Sequence, residues 1–488
     1  MATLQSDQFR AYVDHFNTME PEDVVNLIPN AQAWDWISEN VPLFSCPDRA
    51  IEEMYYFRWW TFRKHIKQTP AGMIVTEFIT PVKHAGSHNS ISCALGHHLM
   101  EGRWIRDQKI LDEYTRFWFR AENGKPEPKF HKYSQWTADA MFERYLVNGN
   151  VALITELFDE LVTDYEIWER EKQRPDGLFW QFDVWDGMEE SISGSRTHKN
   201  ARPTINSYMF ANAQVIMWVA ALLGKYDLAV KFRDKAATLR QLVHEKLWGP
   251  SAQFFKAETE ESRLSDAREA IGFIPWCFNL PNPGYEAAWK QLIDPQGFWA
   301  PFGITTAERR HARFRSHGVG HCEWDGAVWP FATSQTLVAL ANLLRHYDQP
   351  YVTKQHYFDA MQTYVASQRM NGRPYIGEYL DETTGEWLKG DNPRSRYYNH
   401  STFCDLVISG LVGIMPRADE TIEVSPLLPD GAWDWFCLEH VPYHGRELKI
   451  VWDRDGKKFD LGAGLSVMID GRRVAHSKTL GRVTGELT

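Results

Sequence analysis

The hydrophobic period changes once along this chain, near residue 417, and that change limits the folds open to it. From about 88 to 415 apolar residues recur at helical spacing. The segments are 105–120, 134–147, 151–171, 206–223, 226–247, 265–276, 284–293, 326–346, 354–368 and 400–413, separated by loops rich in Gly, Pro, Asn and Asp. After it, TIEVSPLLP, WDWFCLEHVPYHG, RELKIVWDRDG and KKFDLGAGLSVMIDGRRVAHS alternate apolar and polar residues between Gly and Asp-Gly turns. The pattern predicts a mainly α body of paired helices with a small C-terminal antiparallel β unit. No short repeat is visible, which disfavours a solenoid. Residues 1–50 carry Pro21, Pro29, Pro42 and Pro47 and read as an irregular lead-in, and AGMIVTEFITPVK, 71–83, reads as extended chain ended at Pro81. The expected division is therefore 1–50 lead-in, 51–415 body and 416–488 β unit, a size that a large domain with a small companion accommodates.

Charge and cysteine usage narrow the function. A net charge of −11 and a pI of about 5.9 argue against nucleic-acid or anionic-membrane partners. No apolar run is long enough to span a bilayer. The start MATLQSDQFRAYVDHF has neither a basic nor an apolar signal region, so a cytoplasmic protein is expected. Cys46, Cys93, Cys277, Cys322, Cys404 and Cys437 are scattered without a CxxC pair and read as free thiols. His97, His98, His317 and His321 lack zinc-ligand spacing, so no metal is expected. Neither a P-loop nor a GxGxxG context is present, and no cofactor is expected. The 14% aromatic content, with 21 Trp, suits sugar stacking but equally suits large cores and interfaces.

Three loop segments mix carboxylates with aromatics: 185–206, 320–334 and 373–403. In the first, GMEESISG follows GLFWQFDVWD and crowds Asp183, Asp186, Glu189 and Glu190 against Phe179, Trp180, Phe182 and Trp185. Apolar surroundings raise a carboxyl's proton affinity, which suits a general acid. A solvated turn is the plain alternative.

The order GLFW, GMEES, RPTINSYMF, EWDGAVWP, GEYLDETTGE and YYNHST resembles the inverting glycosidases with an (α/α)6 barrel, related to glycoside hydrolase family 63 and mannosylglycerate hydrolase. The resemblance spans about residues 50–415 and implies a six-hairpin (α/α)6 fold and hydrolysis of a small carbohydrate. In that group the general acid lies in a G-(L/M)-D-(D/N)-x-P segment, and a later E-N-Y-x-P-x-T-G segment holds the base. GME, 187–189, and EYLDETTG, 378–385, stand at those places, so the resemblance implies Glu189 as acid and Glu378 as base. Between them WDGAVW, 324–329, stands for W-R-G-x-x-W. Glu replaces Asp at 189, Asp325 replaces Arg, and His400 stands near the Trp of the family's F-S-W-S. Relatives with this barrel, including β-L-arabinofuranosidases, act on non-glucose sugars.

Asp186 remains an alternative acid and Glu323 an alternative base. Asp381, Glu382 and Glu386 read as a solvated turn. Expected substrate contacts are Arg58, Trp59, Trp60, Arg63, His88, Asn89, Trp136, Trp185, Arg202, Asn206, Trp324, Trp329, Asn399 and His400. Glu101, Trp104 and Asp139 are further candidate contacts. Buried packing is the competing reading for each ring. Cys322 as nucleophile lacks a partner. The rival functions are a sugar isomerase or epimerase using His321 or His400, a non-catalytic sugar-binding protein, and a phosphorolytic enzyme.

Overall fold

The computed structural model describes residues 3–121, 123–318 and 320–487. Val319, in the GVGHC stretch, lies outside them. The helical period of the body is realised in helices that pack in sequence. Leu95–Gly102 packs on Thr137–Asn148, which packs on Pro203–Leu222. Pro203–Leu222 packs on the 3₁₀ helix Ala270–Phe278, which packs on Pro330–His346, and that helix meets the π-helical segment Leu406–Val412. Glu101 returns the path to its start by accepting the backbone amides of Phe403, Cys404 and Asp405 at 2.8–3.2 Å. Beside it Arg103 pairs with Asp405 at 2.8 Å. A second layer covers these helices: Phe158–Lys172 and Tyr226–Leu242 lie on Pro203–Leu222, and Lys354–Ser367 lies between Pro330–His346 and Arg49–Lys64.

Local chemistry sets where the helices start. Pro203 and Pro330 occupy first-turn positions, where a missing N–H costs nothing. The Asp48 carboxylate caps Arg49–Lys64 through the amides of Ala50 and Ile51. Pro203–Leu222 is buried around most of its circumference, as expected for a helix enclosed on all sides. Gly96 has to be glycine, because a Cβ there would sit 2.1 Å from the Trp136 indole.

One apolar core runs through both the helical body and the sheet. Trp59, Trp60, Trp104, Trp118, Trp168, Trp276 and Trp289 are fully buried in it. Each withdraws roughly 150–250 Å² from water, about 4–6 kcal/mol before entropy. Much of the unusual tryptophan content therefore serves packing.

The C-terminal strands Trp435–Tyr443, Arg446–Asp453, Gly464–Ile469 and Arg472–Ser477 form an antiparallel meander. His444-Gly445 and Asp470-Gly471 turn two of its hairpins with positive φ at both residues, the geometry favoured by two-residue loops. The lead-in departs from the expected irregular chain. It contains the helices Arg10–Thr18 and Ala33–Asn40, and its strand Leu43–Ser45 pairs with Trp435–Tyr443. The prolines fall between these elements, so they punctuate the segment without excluding structure from it. The extended reading of 71–83 holds as a strand only for Gly72–Val75, after which the chain loops over the body. No helix among the described residues is long and apolar enough to cross a membrane.

Candidate active site

The loops that precede the N-termini of Leu95–Gly102, Pro203–Leu222 and Pro330–His346 meet the 373–403 segment around a small cavity. Glu77, Glu189 and Glu378 line it with Arg394, Tyr398 and His400, and Trp324 and Trp329 form part of its wall. Trp324 stacks on Trp329 at 4.5 Å and Trp329 on Tyr379 at 4.7 Å, giving a flat aromatic surface. A larger cavity of about 460 Å³ lies towards the C-terminal ends of the same helices, where Met217, Trp218, Ala341 and Arg345 line it. Asp139, Glu143 and Asp405 also line it, but Glu143 and Asp405 are both paired with Arg103, at 2.6 and 2.8 Å, and the Glu189–Glu378 pair lies in the smaller cavity.

The four acids of the 183–190 loop have four different environments. Asp183 braces the loop, accepting the amides of Val184 at 2.7 Å and Glu190 at 3.1 Å. Asp186 is fully buried, paired with Arg202 at 2.7 Å and hydrogen-bonded by Thr204. Glu190 pairs with Arg196 at 2.7 Å. Glu189 alone of the four has no ion-pair partner among the described residues. Burial, and to a smaller extent the charges of Glu378 and Asp183, raise its pKa to about 7. Glu378 is set differently: Arg394 donates to it at 2.9 Å and Ser395 at 3.1 Å, while its backbone carbonyl lies 3.1 Å from His400 Nε2. Burial lowers the His400 pKa to about 3, so its ring is neutral near pH 7.

Among the expected substrate contacts, Trp324, Trp329 and His400 stand at the cavity wall. Trp185 is not among the lining residues; it packs against the apolar cluster that includes Tyr133 and Tyr398, with Lys172 4.8 Å from its ring. Arg58 ties its helix to the 401 loop, donating to Gln368 at 2.9 Å and to the Ser401 carbonyl at 2.8 Å. Trp59 and Trp60 lie in the core, and Arg63 donates to Asn30 at 2.8 Å. Trp136 packs over Gly96 and against His97. His88 packs edge-on against Phe117. Arg202 is spent on Asp186, and Asn206 bonds the backbone of Phe179 at 2.8 Å through both ends of its amide. Asn89 and Asn399 hold backbone: Asn89 Nδ2 donates to the Phe78 carbonyl at 2.6 Å, and Asn399 Nδ2 to that of Thr76 at 3.2 Å.

Other acids and histidines are also engaged. Glu323 is paired with Arg315 at 2.6 Å, and Asp325 accepts from His317 at 2.9 Å. The 381–386 turn is only partly solvated. Asp381 accepts the amides of Thr383 and Thr384, but Glu382 is buried against Arg315 at 2.7 Å, because the loop folds back onto 315–325. His98 bridges Tyr114 at 2.8 Å and the Asn399 carbonyl at 2.6 Å. Cys322 reaches the cavity, where burial pushes its thiol up to about 12, so it carries no nucleophilic thiolate.

Glu77, Arg394 and Tyr398 escape a reading of the sequence alone. Glu77 is a lone acid in the apolar run IVTEFIT, and a charge with no helical or alternating reason to be there is the available signal. Arg394 sits in DNPRSR, which reads as ordinary polar loop.

Comparison with known proteins is consistent with this arrangement. Residues 87–401 match the family model described as mannosylglycerate hydrolase MGH1-like glycoside hydrolase domain, and 415–476 match the glycosyl hydrolase family 65 C-terminal domain. A solved structure named "Sialidase" is 51% identical with a TM-score of 0.98. The match covers 99% of this chain and 45% of that one, so this chain spans less than half of it. The GH78 family rhamnosidase of Bacillus sp. GL1 (TM-score 0.61, 14% identity, 88% and 41% coverage) shares the fold. So does the GH63 mannosylglycerate hydrolase of Thermus thermophilus in complex with Tris (TM-score 0.52, 12% identity, 73% and 99% coverage). Apart from Glu77 and His84, the residues lining the carboxyl-bearing cavity fall within the region that the family model spans, and the chain belongs to the MGH1-like glycoside hydrolases.

Proposed function

We propose that the helical body, 51–415, is an (α/α)6 barrel carrying the β unit 416–488, and that it hydrolyses a small neutral glycoside with inversion. Glu189 is the general acid and Glu378 the general base. Water held by Glu378 attacks the anomeric carbon and gives up a proton to Glu378, while Glu189 protonates the departing glycosidic oxygen. The products are a free sugar of opposite anomeric configuration and an alcohol; proton exchange with solvent resets both groups. Inverting pairs stand roughly 6.5–9.5 Å apart to leave room for that water.

One observation carries the reading: Glu189 holds its proton to about pH 7 while sharing a cavity with Glu378, which has Arg394 beside it. A general acid needs that proton affinity at neutral pH. Asp186 is the weaker candidate, because its buried pairing with Arg202 and Thr204 occupies it. A histidine-driven isomerase is disfavoured, since His400 is a poor proton carrier near pH 7.

Charge supports a neutral sugar. Three carboxyls face the cavity, and its arginine, Arg394, is already paired with Glu378. A sugar acid would bring a further negative charge, and among the described residues lining the cavity no other Arg or Lys stands to receive it. The sialidase name belongs to a chain more than twice as long, so that activity is not carried over.

The test is an NMR time course on α- and β-glycosides of neutral sugars, including L-arabinofuranosides, L-rhamnosides and mannosylglycerate, with a sialoside for contrast. Release of one neutral sugar with inverted configuration, abolished in Glu189→Gln and Glu378→Gln, supports the proposal. Retention of configuration, turnover surviving both changes, or preference for the sialoside overturns it.

A further inference from the structure

The mechanism uses two carboxyls, yet the cavity holds three. Glu77 is 2% exposed and lines the same space as Glu189 and Glu378. No Arg, Lys or His stands within ion-pair distance of it among the described residues, whereas Glu378 has Arg394. A carboxylate buried beside other carboxyls without a cation is expensive, so this group stays neutral in the resting protein. Burial, with the charges of Glu378 and Glu189, raises its pKa to about 8, in keeping with that geometry.

Its neighbours direct what a neutral Glu77 does. Cys93 Sγ donates to Oε2 at 3.8 Å, and the Tyr398 hydroxyl also hydrogen-bonds the carboxyl. Both Cys93 and Tyr398 are themselves held protonated by burial. With two donors already turned on it, the carboxyl has its own O–H left to give. The backbone is clamped on both sides: Glu77 N donates to the Asn89 carbonyl at 3.3 Å, and Asn399 N donates to the Glu77 carbonyl at 3.0 Å. Asn89 further pins the loop through Phe78 and Val82, at 2.6 and 3.0 Å. A side chain fixed so firmly at a cavity wall is preorganised to meet a ligand.

We infer that Glu77 touches the bound sugar and donates a hydrogen bond to one of its hydroxyl groups, selecting a neutral sugar bearing that hydroxyl. The inference rests on the Glu189 and Glu378 reading for where the sugar sits, but its test does not depend on turnover. Affinity for free L-arabinose, L-rhamnose and D-mannose, and for the singly deoxygenated analogues of whichever binds (the parent sugar), is measured by NMR titration with wild type, Glu77→Gln and Glu77→Met. Glu77→Met should weaken the parent sugar about tenfold, the size of one lost hydrogen bond with a buried partner left unmet. It should leave one deoxy analogue unchanged within about twofold. Glu77→Gln, which keeps a donor of the same reach, should stay within about threefold of wild type on the parent. Equal weakening across every analogue, or no weakening at all, overturns the inference. Should the apolar variant fail to fold, Glu77→Asp carries the test, since withdrawing the donor by one methylene should show the same selective loss. Failure of the acid and base assignment would appear elsewhere, as turnover surviving Glu189→Gln and Glu378→Gln.

Discussion

The 183–202 loop and the 373–403 loop supply the same residue type to one cavity and treat it in opposite ways. In 183–202 the arginines are spent on other acids: Arg202 on Asp186, and Arg196 on Glu190 with a longer reach to Asp183. Glu189 is left uncompensated and keeps its proton. In 373–403 the loop brings Arg394 and Ser395 directly to Glu378. A glutamate's proton affinity here follows from which neighbour receives the nearest cation, and the proposed acid and base call for that asymmetry.

The largest effect should come from erasing the contrast at either end. Glu189→Gln and Glu378→Gln should each lower kcat/KM on the order of 10²–10⁴-fold, read by initial rates on the substrate found by NMR. Full activity in Glu189→Gln, with loss in Asp186→Asn, would move the acid to Asp186. Next comes the buried pair that frees Glu189 from its neighbours. Arg202→Ala leaves Asp186 charged and unpaired and should cost about 3–5 kcal/mol in urea unfolding. A change below about 1 kcal/mol would mean the pair does not organise the loop.

The pH dependence is a smaller effect with a definite sign. As the proposed acid, Glu189 has to be protonated, so on that proposal activity should fall as pH rises through about 7. Stability should move in the same direction. Glu189 and Glu77 both have folded pKa values raised above the ordinary 4.5, to about 7 and about 8. Their stabilising contribution is complete below about 4.5 and is lost as pH rises through the folded values, by at most about 1.4 kcal/mol per pH unit per group. Thermal melts from pH 5 to 8 should show a decline that is shallower in Glu189→Gln, and an unchanged slope would contradict the raised value. The smallest effect belongs to Cys322, whose thiol stays protonated. Cys322→Ser should keep kcat/KM within roughly threefold, and a loss of about 100-fold would call for a chemical role.

Much of the site is legible in outline. The loop GMEES and the segment GEYLDETTGE point to Glu189 and Glu378 through the resemblance to the inverting glycosidases, and the two side chains line one cavity; residue type alone does not single them out, since Asp183, Asp186, Glu190 and Glu382 in the same loops are spent on structure. The ring-rich segments mislead more easily. YYFRWWTFRK looks the same whether its rings meet sugar or core, and the fold places Trp59 and Trp60 in the core. Asn206 and Arg202 stand beside the 179–190 segment in sequence and hold it in space, through Phe179 and Asp186, a distinction that residue type does not encode. Glu77 shows in the sequence only as a lone acid in an apolar run, because its place depends on Tyr398, 321 positions away in the chain.

The amino-acid order by itself determined the helical body, the shift to strands near 417, the two-residue hairpin turns and the positions of the carboxyl-bearing loops. Those features follow from backbone preferences and from which faces are apolar, both set within a few residues. Tertiary structure alone decided that Asp186 is spent on Arg202, that Glu382 is buried against Arg315, that Arg394 serves Glu378, and that Glu77 enters the same cavity. A proton's affinity depends on solvation and on charges a few ångströms away, and segments hundreds of residues apart supply both.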